Sequence, residues 1–468
     1  MAYWGEAMCY DQPLWYHEEL AKARAVLDRL GPTAAARRAR APTLREQRYL
    51  DAVEILFGNV PSGDKPSRNR AYADAMGRLA HDFPDDDEAA AFHALALLAT
   101  IPQGERNPAI SLRAGAIASA ILKRNPQHPG AAHYALHAYD DGEHATMGLE
   151  AARAYVQIAP ASSHARHMPS HVFVPLGLWD EAVGSDESAF AASVDYVKRN
   201  GLSSSQLDFH SLSWLQYEYL QQGRFAKARE LLEPVRTAVA EAPSKEQHAH
   251  VESEIGRGFG AMSLRSELAS MRARLVVESG NWAEMKGQAS FDNIDELFAL
   301  GLSSVKLGDL ARVDAAIGHL NSAANAVADR DAREIARIMA AELEGVLRLA
   351  RGDRADGLQW LARATELESQ RPRPIGRPYP IKPAAELYGE SLAAAGDPRS
   401  AIQQFRSVLE RTPNRAAALL GLAQTAHSVS LTSESAASAQ KFLTVWHLAD
   451  AGRPELAQAK ALARSTGK

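Results

Sequence analysis

Gly177-Leu178-Trp179-Asp180-Glu181-Ala182 sets a glycine two residues before an aromatic ring and five before an alanine. Gly223-Arg224-Phe225-Ala226-Lys227-Ala228 repeats that spacing. Glycine suits a tight turn between paired helices, because it enters the left-handed region without steric cost. Alanine lets the two helices approach closely. Gly396, Ala401 and Pro413 keep the pattern without the aromatic, and proline ends such a unit because it cannot continue a helix. Gly308-Asp309, Gly352-Asp353 and Gly396-Asp397 recur at intervals of 44 residues. Around these turns, residues 17–30, 44–57, 67–81, 87–99, 109–124, 130–141 and 145–158 are rich in Ala, Leu, Arg and Glu, with apolar positions three and four apart. Each reads as a helix. Alternating runs of Val, Ile and Thr are nearly lacking, so a sheet domain is not expected.

The spacing resembles the tetratricopeptide repeat (TPR), a helix–turn–helix unit of about 34 residues. The match is good at 126–182, 209–230 and 388–425 and degenerate elsewhere. It implies an all-α, TPR-like α-solenoid, a superhelix of roughly ten to twelve antiparallel helix pairs. Degenerate repeats are expected over 1–125, central repeats over 126–290 and C-terminal repeats over 291–468. Within the last block, residues 371–383 carry five prolines and read as a stiff extended spacer in preference to a ligand-contacting loop.

Composition bounds the function. Hydrophobic residues at 46% and charged residues at 23% are ordinary globular values, which excludes a disordered chain. A net charge of −5 provides no global basic field for nucleic acid. The single cysteine, Cys9, excludes internal disulfides and thiolate-rich metal sites. No apolar run has the length of a membrane span. The first residues lack the basic stretch and cleavage site of a secretory signal, so a cytoplasmic location is expected.

Histidine is unevenly spread. Seven of the 16 fall between His128 and His171, less than a tenth of the chain. His133 and His137 are four apart, as are His167 and His171, and the second pair is the first displaced by 34 residues. Pro126 and Pro160 are displaced by the same 34. Residues four apart share a helix face, with Cβ atoms roughly 5–6 Å apart, so two imidazoles can converge on one ion at about 2.0–2.1 Å per bond. The repeat register places both pairs at equivalent positions on the first helix of adjacent units. In proteins of this fold that helix lines the concave groove, so one four-histidine constellation, or two coupled pairs, is expected there. Asp140, His164, His210 and Tyr217 extend the inferred lining. Inert duplication of a histidine pair is the bland reading, but desolvated imidazoles without partners carry a polar cost.

The segment His133-Tyr134-Ala135-Leu136-His137-Ala138-Tyr139-Asp140, followed by His164-Ala165-Arg166-His167-Met168-Pro169-Ser170-His171, resembles a bacterial family of TPR proteins with His-x-x-x-His-x-x-Asp/Glu and His-Met-Pro-Ser-His motifs. The resemblance extends over most of the chain, including Tyr3 to Met8 and Pro13 to Trp15. It brings no reaction with it. Relatives often begin with a further helical repeat, and some with an export signal, whereas this chain begins inside a repeat.

These readings converge on a metal-dependent enzyme acting on a small molecule, with metal-activated hydrolysis favoured. His133, His137, His167 and His171 are the expected ligands. Zinc or copper suits them best, with iron or nickel also accommodated. Three histidines and an open position would lower the pKa of bound water to about 7 on a zinc-like ion. Asp140 would ligate or orient His137, Glu143 and His164 would relay protons, and Tyr134, His210, Trp214 and Tyr217 would position substrate. The alternative is a metal-free scaffold for a protein or peptide partner, the common use of TPR grooves. Weaker features read as structural: Gly256-Arg257-Gly258-Phe259-Gly260 as a loop, Arg37, Arg38, Arg40, Arg45 and Arg48 as a solvated surface, and Pro84 to Glu88 as an acidic helix start.

Overall fold

The computed structural model describes residues 1–58, 63–241, 250–251, 262–287, 293–327 and 329–464. The fold is all-α and TPR-like, a succession of helices paired through short turns. Two compact units divide the chain. One comprises Met1–Asp140 and Met147–Ala159, the other Asp141–Thr146 and Pro160–Lys468. The division falls inside the 126–290 block.

In the first unit, side-chain oxygens start the helices by accepting otherwise unbonded N–H groups. Thr43 and Glu46 form a reciprocal capping box before Leu44–Phe57. Asp64, Asp86 and Asn107 cap Lys65–Asp82, Asp87–Leu98 and Pro108–Arg124. Trp4 meets Tyr49 and Phe92 edge-on at 5.0 and 4.8 Å within the core. Residues 17–19, expected to be helical, are extended instead. His17–Glu18 pairs antiparallel with Asp11–Gln12 in a two-residue ribbon. Two basic residues hold it: Lys65 reaches Asp11 at 2.7 Å, and Arg68 grips Glu18 with bonds of 2.6 and 3.0 Å. In the arginine cluster Arg40 and Arg48 are exposed, as a solvated surface requires, but Arg37 is not. Arg37 is buried and doubly bonded to Glu54, while Arg38 pairs with Asp51 and Arg45 with Asp86. Arg37, Arg38 and Arg45 thus join helices.

The second unit explains the recurring Gly-Asp pairs. Gly308, Gly352 and Gly396 adopt positive φ, and Asp309, Asp353 and Asp397 then cap the following helices. Glycine ends one helix and aspartate begins the next. Gly177 is constrained twice. Its φ is +66°, and a side chain there would collide with the Pro413 carbonyl. Asn414 Nδ2 donates to the Gly177 carbonyl at 3.2 Å, and Trp179 Nε1 donates to the Asn414 carbonyl at 2.9 Å.

The proline-rich segment is not a free spacer. Arg411 donates to the Arg371 and Pro372 carbonyls at 3.1 Å, Arg274 donates to the Pro378 carbonyl at 3.1 Å, and Arg377 and Lys382 are buried. It is a strap bound to neighbouring helices. It bends repeatedly in place of running extended, and backbone carbonyls that no ladder uses are taken by arginines. A second ribbon pairs His250–Val251 with Met262–Ser263. The Gly256–Gly260 motif lies outside the described residues.

Candidate metal centre

In the first unit, the helix Pro129–Ala138 carries His133 and His137. It begins cleanly because Pro129 needs no N–H donor and His128 Nδ1 accepts from Ala131 at 3.1 Å. The spacing of four brings the two Nε2 atoms to 3.0 Å. Tyr155 and Tyr134 stack on His133 at 5.6 and 5.8 Å, and Trp15 meets His137 edge-on at 6.0 Å. Burial pushes the Tyr134 and Tyr155 hydroxyls up to about 12, which keeps both neutral. The helix stops at Ala138, short of the expected 141, and Asp140 follows it half-buried.

In the second unit, the 141–146 turn holds Asp141, whose carboxylate accepts from the backbone of Glu143 and His144 and lies 2.8 Å from the His144 ring. Glu143 is exposed. His164 and His167 lie on Ser163–His167, and His171 lies on Ser170–Phe173. Pro169 removes one helical N–H, yet Met168 and Pro169 keep right-handed helical dihedrals. The geometry of four-residue spacing therefore survives the break, and His167 Nε2 stands 3.1 Å from His171 Nε2.

A third ring completes this group. His210, near the start of Phe209–Gln221, places its centroid 4.6 Å from His167. The ligand atoms of His167, His171 and His210 all lie within 4.8 Å of one another. Imidazoles sharing a tetrahedral ion would have nitrogens about 3.3 Å apart, from bonds of about 2.0–2.1 Å. The set is compact enough to close on one ion by small side-chain rotations. Trp214, one helical turn after His210, stacks on His171 at 4.6 Å and presents its edge to His167 at 5.1 Å. This apolar wall leaves the nitrogens as the polar groups of the cluster.

Carboxyl groups surround the rings. Asp186, from Trp179–Asn200, lies 2.6 Å from His167 Nδ1, and both side chains are at most 1% exposed. Accepting the Nδ1 proton leaves the Nε2 lone pair facing the other histidines. Burial, reinforced by the charge of Asp186, raises the Glu218 carboxyl well above the usual range. Burial likewise raises Asp186. Asp208 caps the His210 helix and accepts from Ser163. Burial would raise its pKa, but the charges of His167 and His210 and its bonds to Ser163 and Ser211 hold it below the usual value.

Asp186, Asp208 and Glu218 were not among the residues expected from sequence. One signal was available: His210, Trp214 and Glu218 are spaced by four and share a helix face. Tyr217 has other occupations. It is buried, meets Trp179 edge-on at 5.7 Å, lies under the Arg274 guanidinium at 5.3 Å and bonds Arg415 at 3.4 Å. Its hydroxyl is pushed up to about 12 by burial.

Compared with protein-family models and with curated proteins, the chain matches none. Among solved structures its neighbours are helical-repeat proteins. A tetratricopeptide repeat protein from Parabacteroides merdae is 12% identical over 64% of this chain and 97% of that one, with a TM-score of 0.33. A human IFIT1 dimer with m7Gppp-AAAA is 13% identical over 96% and 87%, at 0.37. The APC/C hetero-tetramer Cut9-Hcn1 is 11% identical over 90% and 83%, at 0.36.

Proposed function

We propose that this chain is a metal-dependent enzyme acting on a small molecule, with its ion held in the second unit by His167, His171 and His210. One observation carries the reading: three imidazole ligand atoms lie within 4.8 Å of one another, and a buried carboxylate holds the far nitrogen of one ring at 2.6 Å. An all-imidazole set suits zinc, copper, iron or nickel, and three ligands leave room for a substrate atom. When bound, such an ion supplies Lewis acidity. The chain's own residues do the rest. Asp186 fixes the His167 tautomer, and Trp214 shields one side from water. Glu143 and His164 remain proposed proton-transfer groups, and Trp214 a proposed substrate contact.

The test uses the purified full-length chain. Elemental analysis and titration against a chromophoric chelator at pH 7.5 should give a stoichiometric ion. The His171→Ala and His210→Ala variants should each bind far more weakly. Metal at a hundredfold excess over its Kd should add about 2.7 kcal/mol of stability, removed by chelator. If wild type binds no transition metal more tightly than the His167→Ala/His171→Ala double variant, the proposal is wrong. A stoichiometric protein partner whose affinity ignores chelators would point to the scaffold alternative.

A further inference from the structure

The strap over residues 371–383 joins the metal centre to a second buried polar cluster in the same unit. Gly376 packs so closely on the Trp214 indole that a side chain there would enter the ring, and Trp214 is the ring stacked on His171. The next residue, Arg377, is buried 3.7 Å from Glu267. Glu267 and Arg274 stand two turns apart on one face of Leu264–Ser279. The Arg274 guanidinium lies over the Tyr379 ring at 5.2 Å, and the Tyr379 hydroxyl donates to Asp295 Oδ2 at 3.0 Å.

All four charged side chains are more than nine-tenths buried: Glu267, Arg274 and Asp295 at 2% exposure and Arg377 at 8%. Each keeps one atom without a hydrogen bond among the described residues, namely Arg274 Nη1, Arg377 Nε, Glu267 Oε1 and Asp295 Oδ1. Buried charged groups left short of hydrogen bonds are costly to maintain. Structural ion pairs elsewhere in this unit do better. Arg415, for example, makes two bonds to Glu386 and one to Glu278.

The unmet atoms comprise two guanidinium donors and two carboxyl acceptors. A plain anion would serve only the donors, and a plain cation only the acceptors. Two positive and two acidic side chains also balance formally, which favours a ligand of no net charge. We propose that this cluster binds a small zwitterion, an α-amino acid or short peptide. Its carboxylate accepts from Arg274 and Arg377, and its ammonium donates to Glu267 and Asp295. As the substrate subsite of the metal centre this rests on the proposed metal reading; as a binding site it does not.

Calorimetry on the full-length chain tests it, with the twenty standard amino acids, Gly-Gly and Ala-Ala as probes. Each is run beside its N-acetyl and carboxamide forms, with chelator and again after zinc is restored. At least one zwitterion should bind in chelator, with both blocked forms at least about tenfold weaker, since each strands buried charged groups. Arg377→Gln and Glu267→Gln should each weaken binding by a similar factor, while the wild-type analogue series needs no variant to fold. No binding, equal binding of an N-acetyl or carboxamide form, or binding only with zinc present would overturn the subsite. Zwitterion binding in a chain that takes up no metal would uphold the subsite and overturn the metal reading alone.

Discussion

Two histidines four residues apart on a helix are common. What sets His167 apart is the buried Asp186 carboxylate 2.6 Å behind it. A partner of that kind fixes ring orientation and tautomer, and removing one typically costs about 10–100-fold in metal affinity. Asp186→Asn should therefore weaken zinc by about that factor, and His167→Ala by considerably more, in competition titrations at pH 7.5. An unchanged affinity in Asp186→Asn would mean that His167 does not ligate through Nε2. The histidine pairs were legible in the sequence because spacing on a helix converts directly into shared direction. Asp186 was not, because its contact comes from a separate helix and nothing local marks that acid as buried. His210 was expected at the site as a substrate contact. Its place beside His167 depends on how two helices pack, which periodicity does not specify.

Among the elements, the turns were the most legible part, since positive-φ glycine and capping aspartate act over two residues. The strap was half legible. Its prolines announced a segment outside the helices, whereas its burial depends on arginines 40 and 104 residues away in sequence, Arg411 and Arg274. Where the strap ends, Ala384–Ala394 starts after Pro383, which offers no side-chain cap. Glu368, from the preceding helix, takes that role, and its Oε2 accepts from Ala384 N at 2.8 Å. Burial pushes this carboxyl up to about 7, against the charge of Arg411 and the bonds from Ala384 and Ala385. Between its ordinary value near 4.5 and about 7, the folded chain binds a proton that the unfolded chain has lost. Rising pH therefore removes stability across that window, by about 3 kcal/mol. Glu368→Gln keeps an acceptor for Ala384 and abolishes the titration. Denaturant unfolding should show it gaining on wild type from pH 5 to pH 8. A constant difference across that range would show that Glu368 ionises normally.

At the scale of the whole molecule, the four histidines expected as one constellation belong to different compact units, with His133 and His137 in the first and His167 and His171 in the second. The arithmetic of 34 residues made the pairs equivalent in the repeat, but equivalence in a repeat does not establish sharing of an ion. His210 changes the count, because the second unit holds three imidazoles of its own backed by Asp186. Three histidines make a sufficient protein set for zinc-like coordination. Tight binding in the second unit should accordingly tolerate the His133→Ala/His137→Ala double change, with any loss confined to a separate equivalent. The His167→Ala/His171→Ala change should remove the tight one. Elemental analysis after dialysis separates these outcomes when combined with circular dichroism to confirm that each variant is folded. Complete loss of tightly bound metal in the His133→Ala/His137→Ala variant would show that the ion depends on both pairs. The triad would then be only part of its ligand set.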